Sequence, residues 1–297
     1  MINKRQKILL ALLEELGGKL PNTDMQKYLF LVSRCQGKGN RSYHFIPYKY
    51  GCFSFSSYSD KRKLIEEKIL KDSENWELSV DQSGFYLMLP NEDKSAIKKI
   101  KENFGHLSGK KLIRHIYLKY PYYAINSEIL GDVLNESEII QVKACIPKNE
   151  ISAIYTIGYE EKTLEEYINQ LIKEDIKILV DVRENPVSRK YGFSKKTLQK
   201  AIEEVGIEYR HLPELGIPRE KRVNLHDKDD YNQLFDMYEK EVLRNRRDLL
   251  EMIYNLVLGH DRIALTCFEK SSEYCHRTRL AEGIVSCFSQ DLSVIHL

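Results

Sequence analysis

The alternation of apolar and polar positions changes period near residues 141–152, so the chain falls into two differently textured halves. In the first, Lys4 to Leu16 repeats apolar residues at Ile8, Leu9, Leu12 and Leu13, the spacing of one helical face. Gly17-Gly18 stops that helix, and Thr23 or Asp24 stands where a cap is needed for a second one over Met25 to Cys35. Helix, short turn and helix suit a helix-turn-helix and a generic helical bundle equally. The aromatic stretch Tyr43 to Gly51, interrupted by Pro47, is too irregular for a clean strand, whereas Tyr86 to Pro90 predicts a brief one. Ala96 to Phe104 predicts a solvated helix. Gln141 to Ser152, with Pro147 and Asn149, has the composition of a linker.

Beyond it the pattern becomes that of alternating strands and helices. Tyr155 to Tyr159 is a short strand running into Gly158, and the following segment to Lys173 places Leu164, Tyr167, Ile168, Leu171 and Ile172 on one helical face. Thr163 and Glu166 have the spacing of a capping box at its start. Ile176 to Val182 is apolar and β-branched except at Lys177 and Asp181, the signature of a strand buried on both faces. Ile207 to Leu212 and Arg262 to Thr266 predict further strands. Strand, helix, strand implies a parallel crossover unit. The expected fold is therefore a Rossmann-like, three-layer, mostly parallel α/β domain over 152–297, preceded by an α-rich, winged-helix-like module over 1–146.

Composition narrows the possibilities. A chain of 297 residues exceeds one average domain, and its 42% apolar and 30% charged content is that of an ordinary globular protein. No apolar run approaches the roughly 20 residues of a membrane span, so no membrane partner is expected. Six scattered cysteines and the lack of a signal-peptide pattern point to a reducing cytoplasm. With a net charge of +2, nucleic-acid binding would have to be local. Lys94 to Arg114 holds seven basic residues and one acidic, with Tyr117, Tyr120, Tyr122 and Tyr123 beyond. That arrangement suits phosphate contacts and base stacking, or equally a solvated helix with tyrosines in the core.

Chemistry concentrates at two strand ends. After Arg262 to Thr266 come Cys267, Glu269, Glu273, Cys275, His276, Arg277 and Arg279: two thiols, two carboxylates, an imidazole and two guanidiniums within thirteen positions. After Ile176 to Val180 come Asp181 and Arg183, then Ser188 and Arg189 in a loop containing Pro186. Ligands of open α/β sheets sit beyond the carboxyl ends of strands, so both clusters are candidates for one site. Asp181, Glu269 and Glu214 are the candidate catalytic carboxylates. Gly158, Tyr159, Arg183, Ser188, Arg189, Cys275, His276 and Arg277 are the candidate ligand-binding residues, the arginines suiting phosphate. Cys267, Cys275 and His276 lack the repeated Cys-x-x-Cys spacing of closed zinc sites, so no metal is expected, and no cofactor is indicated.

Ile157-Gly158-Tyr159, Asp181-Val182-Arg183, Asn185-Pro186 with Ser188-Arg189, Leu212-Pro213-Glu214-Leu215-Gly216, Cys267-Phe268-Glu269 and Cys275-His276-Arg277 together resemble the domain of unknown function 488 family, over about residues 152–290. Members often carry His then Ser where this chain has Tyr159 and Glu160. The resemblance implies a Rossmann-like domain and names no reaction. Met25 to Phe30 with Lys49-Tyr50-Gly51-Cys52 resembles the Panacea and SocA-like antitoxin-associated domain, over about residues 3–135, with Cys52 in place of a proline. The favoured function is an enzyme acting on a phosphorylated small molecule, nucleotide or nucleic acid, with the N-terminal module recruiting nucleic acid or a protein. One alternative is a non-catalytic nucleotide sensor or antitoxin-like adaptor. Another is sulfur transfer at Cys267, because Asp181-Val182-Arg183 is also similar to a rhodanese tripeptide; Glu273, six residues past Cys267, would repel an anion there.

Overall fold

Helix starts in this protein are set by side chains that take the amides a helix cannot satisfy itself. Asn3 and Gln6 close a reciprocal capping box at α1 (Lys4–Glu15). The second helix departs from expectation: α2 begins at Asn22, three residues before Met25, and has no side-chain cap. Asp24 is used elsewhere, its carboxylate accepting the Gly109 amide at the start of another helix. The computed structural model describes residues 2–79, 83–223 and 225–297, in two compact units, 1–146 and 147–297.

The first unit is α-rich. Between α1 and α2 lies β1 (Lys19–Leu20); after them come β2 (Ile46–Tyr48), β3 (Gly51–Phe53), α3 (Phe55–Glu66), β4 (Trp76–Glu77), α4 (Asn91–Phe104), α5 (Gly109–Lys119), α6 (Leu130–Val133) and α7 (Glu136–Lys143). β1 pairs with β4, and β2 with β3, both antiparallel. The brief strand expected at Tyr86 to Pro90 is instead a 3₁₀ turn over Tyr86–Met88. The Glu14 carboxylate accepts the Gly84 and Tyr86 amides that a strand partner would have taken. Tyr117 is fully buried and Phe30 packs edge-on against Tyr120 and Tyr123, so these three of the tyrosines beyond the basic stretch belong to the core.

The second unit is built on a five-stranded parallel sheet. Its elements are β5 (Ala153–Gly158), α8 (Leu164–Lys173), β6 (Ile178–Asp181), α9 (Lys195–Glu203), β7 (Glu208–His211), α10 (Lys228–Glu241), α11 (Arg247–His260), β8 (Arg262–Cys267), α12 (His276–Phe288) and β9 (Ser293–His296). The strand order is β7-β6-β8-β5-β9, with every neighbouring pair parallel. β5 and β8 are buried at every position, which explains their predominantly apolar sequences. Ile178, Val180, Ile263 and Leu265 pack with the apolar faces of α10, α11 and α12. On the other face the Tyr167 hydroxyl of α8 donates to Thr266. Helices therefore cover both faces of the sheet, and all five carboxyl ends lie along one edge. Among the described residues no helix is long and apolar enough to cross a membrane.

Candidate functional site

Strand parity splits the predicted constellation into two nests. Asp181 pairs in register with Thr266, so Cys267, one residue further along β8, faces the opposite side of the sheet. Both nests lie at the carboxyl edge of adjacent strands. One belongs to the α8 side, the other to the α12 side.

On the α8 side, Asp181 is wholly buried and Arg183 is 5% exposed. Arg183 donates from Nε to Asp181 Oδ1 at 2.8 Å and from Nη2 to Oδ2 at 2.5 Å. Its Nη1 donates to the Tyr159 hydroxyl and to the Phe193 carbonyl. The Arg183 amide and the Tyr209 hydroxyl complete the carboxylate's partners. Tyr159 stacks on Phe193 at 4.4 Å between ring centroids, beneath the Arg183 guanidinium. Burial opposes the charge on Arg183, but its bonds to Asp181 hold its pKa above the usual arginine value. This closed, paired nest contrasts with the open anion pocket expected around Arg183. Ser188 exchanges hydrogen bonds with Ser194 within its own loop, and Arg189 is exposed.

The α12 side is different in kind. Cys267 ends β8, and Cys275 and His276 begin α12, so strand end, loop and helix start bring the three groups together. Each is 1% exposed. Cys267 Sγ lies 3.2 Å and Cys275 Sγ 3.0 Å from Glu269 Oε2, while His276 Nδ1 stands 3.9 Å from the first thiol and 4.0 Å from the second. His276 Nε2 is 3.2 Å from the Val182 carbonyl, and Nδ1 faces the two thiols. Arg222 closes the cluster, donating from Nη1 to Glu269 Oε1 at 3.2 Å, with Nη2 3.5 Å from His276 Nδ1.

Three acidic groups therefore surround one guanidinium. The Cys275 thiol, hydrogen-bonded to Cys267, draws the Cys267 pKa well below the usual thiol range, with His276 and Arg222 acting in the same direction. Burial pushes Cys275 well above that range. Burial, then the Cys267 charge, raises the Glu269 carboxyl. Two thiols and a carboxylate in contact, shifted in opposite directions by their surroundings, mark this cluster as a candidate for chemistry. A cavity of about 370 Å³ opens onto Arg222, Glu269 and His276 and is walled by Tyr231, Phe235 and Tyr274.

The remaining predicted residues have other placements. Arg277, 1% exposed, donates to the Glu269 and Lys270 carbonyls and so holds the loop that carries Glu269. Gly158 is the reason that loop can lie where it does: a Cβ there would come within 1.7 Å of the Glu269 carbonyl oxygen. The close approach expected of Gly158 is thus made by backbone. Gly216 plays the same part against Glu184, where a Cβ would meet the amide nitrogen at 2.3 Å. Glu214, between them in sequence, is exposed in a 3₁₀ turn and makes none of the cluster's contacts. Arg222 was not among the expected site residues. It lies in an aperiodic loop after Pro218, and only the fold brings it to β8.

The family model of the domain of unknown function DUF488 matches residues 163–284, which includes the whole α12-side cluster and the Asp181–Arg183 pair and leaves Ile157-Gly158-Tyr159 just outside. The match lies in the C-terminal half and lends no support to the Panacea and SocA-like resemblance of the N-terminal half. No curated protein and no solved structure matches the chain.

Proposed function

We propose that the C-terminal unit is an enzyme acting on a small phosphate-bearing ligand of the nucleotide class, with Cys267, Glu269, Cys275 and His276 as its reacting groups. Arg222 is the ligand's anion contact. The observation that carries this reading is the cavity itself: Arg222, Glu269 and His276 line one wall, with the two buried thiols behind them, and the other wall is aromatic. A guanidinium suits a phosphate, and Tyr231, Phe235 and Tyr274 suit a planar base. The volume falls within the range of small-ligand sites. The reading moves the anion contact from Arg183, whose donors are engaged by protein groups, and from Arg277, which is 1% exposed, to Arg222, which lines the cavity.

Titration calorimetry with inorganic phosphate and nucleoside monophosphates tests the proposal. The wild-type chain is expected to bind a monophosphate, and Arg222→Met to bind it about tenfold or more weakly, the loss of one charge-assisted hydrogen bond of about 1.5–3 kcal/mol. Equal affinity in the two proteins, or no binding of any of these anions to the wild type, overturns it.

A further inference from the structure

The four groups at the end of β8 have a property that ligand binding does not require: they are the donor set of a soft-to-borderline divalent cation. Cys267 Sγ, Cys275 Sγ and His276 Nδ1 all lie within 4.8 Å of one another. A tetrahedral zinc ion with metal–sulfur and metal–nitrogen bonds of about 2.3 and 2.0 Å separates its ligand atoms by roughly 3.5–3.8 Å. The observed 3.9 and 4.0 Å between imidazole and thiols need only a few tenths of an ångström of closure. Glu269 Oε2, 3.0 and 3.2 Å from the two sulfurs, stands beside this three-residue set.

Three further features fit an ion better than a set of mutually hydrogen-bonded groups. His276 is oriented from behind, its Nε2–H on the Val182 carbonyl, which is how a ligating imidazole is held with its other nitrogen forward. Arg222 takes Glu269 Oε1 and leaves Oε2 to the sulfurs, orienting the carboxylate toward the same point. Two thiols and a carboxylate share one buried space with a single guanidinium, and a cation that displaces the thiol protons would neutralise that crowding. Thiolate and imidazole donors in tetrahedral array select zinc-class ions over magnesium or calcium.

We propose that Cys267, Cys275, His276 and Glu269 bind one zinc-class divalent ion, with Glu269, the only one of the four that is not fully buried, as the ligand exchanged for substrate. The cation deepens the functional reading above and rests on it only for the substrate's place beside the ion. Cys267 and Cys275 form the closed side of the site, and the cavity reaches it past Glu269, His276 and Arg222.

The test is zinc titration of the full chain, stripped with chelator, against a chromophoric competitor, together with cobalt substitution. One equivalent should bind, and cobalt should give the intense visible bands of a tetrahedral site and a near-ultraviolet sulfur-to-cobalt charge-transfer band. Cys267→Ser and Cys275→Ser should each weaken zinc binding by about 100-fold or more, and Glu269→Gln by about tenfold. Cys35→Ser and Cys287→Ser, at exposed thiols, should leave it unchanged. Should a site variant fail to fold, the cobalt spectrum of the wild type still decides, because sulfur and tetrahedral bands appear together only at such a site. Octahedral cobalt without charge transfer, or zinc affinity untouched by Cys267→Ser and Cys275→Ser, overturns the proposal. Arg222→Met separates the two readings: it should keep the zinc equivalent and lose the monophosphate, so either reading can fail alone.

Discussion

Arg183 and Arg222, the guanidiniums of the two nests, sit in different surroundings, the first in a closed pair and the second at a cavity wall. Arg183 neutralises a carboxylate that has no exposure at all. Removing one partner of a buried pair leaves an uncompensated charge, at a cost of about 3–5 kcal/mol. Arg183→Met should therefore lower unfolding stability by that order in a denaturant titration, while Arg222→Met, at a cavity wall, should lower it by less than about 1 kcal/mol. Comparable losses in the two variants would contradict the division into a closed nest and an open one. Gly158→Ala tests the loop in the same way. A Cβ 1.7 Å from the Glu269 carbonyl cannot be accommodated without moving that backbone. A loss of about 1–3 kcal/mol or more is expected, together with weakened ligand binding because Glu269 moves with its loop. A fully stable Gly158→Ala with wild-type affinity would show that the loop does not position the cluster.

At the scale of elements, the sharpest local signals in the sequence are the ones the structure reproduces. The Thr163 and Glu166 capping box forms at α8, with the Thr163 hydroxyl accepting the Glu166 amide and the Glu166 carboxylate accepting the Thr163 amide. Thr163→Ala should cost about 1 kcal/mol in chemical denaturation, and no change would mean tertiary packing alone holds that helix start. In the first unit, α5 carries His115 against Phe104, with ring centroids 4.8 Å apart. Burial, and then Lys119, lowers the His115 pKa. The sign follows: the unfolded chain takes up this proton more readily than the folded one, so stability is present above the unfolded value of about 6.5 and is lost as pH falls below it. Hydrogen exchange of the α5 amides, corrected for intrinsic rates, should quicken between about pH 7.5 and 5.5. His115→Phe should flatten that dependence; an unchanged profile would assign it to other groups.

For the whole molecule, what could be read from sequence was what local chemistry determines. Apolar runs marked β6 and β8 as buried strands, a short strand running into Gly158 marked β5, and polar residues just after β6 and β8 marked the carboxyl edge. What could not be read was parity and long-range placement. Asp181 and Cys267 both follow apolar runs, but the register that pairs Asp181 with Thr266 sends them to opposite faces, and a shift of one residue would have united them. The Cys267, Cys275 and His276 set escaped the search for repeated metal spacings because the loop from β8 to α12, and not a short motif, brings its members together. Arg222 carried no periodic signal at all. The central claim is that the α12-side cluster, and not the Asp181–Arg183 nest, receives the ligand. A crystal structure of the protein soaked with a nucleoside monophosphate tests it most directly. The account predicts phosphate oxygens within hydrogen-bonding distance of Arg222, in the cavity bounded by Glu269, His276 and Tyr231. A ligand bound instead at Arg183, Arg189 or Arg277, with that cavity empty, would contradict it.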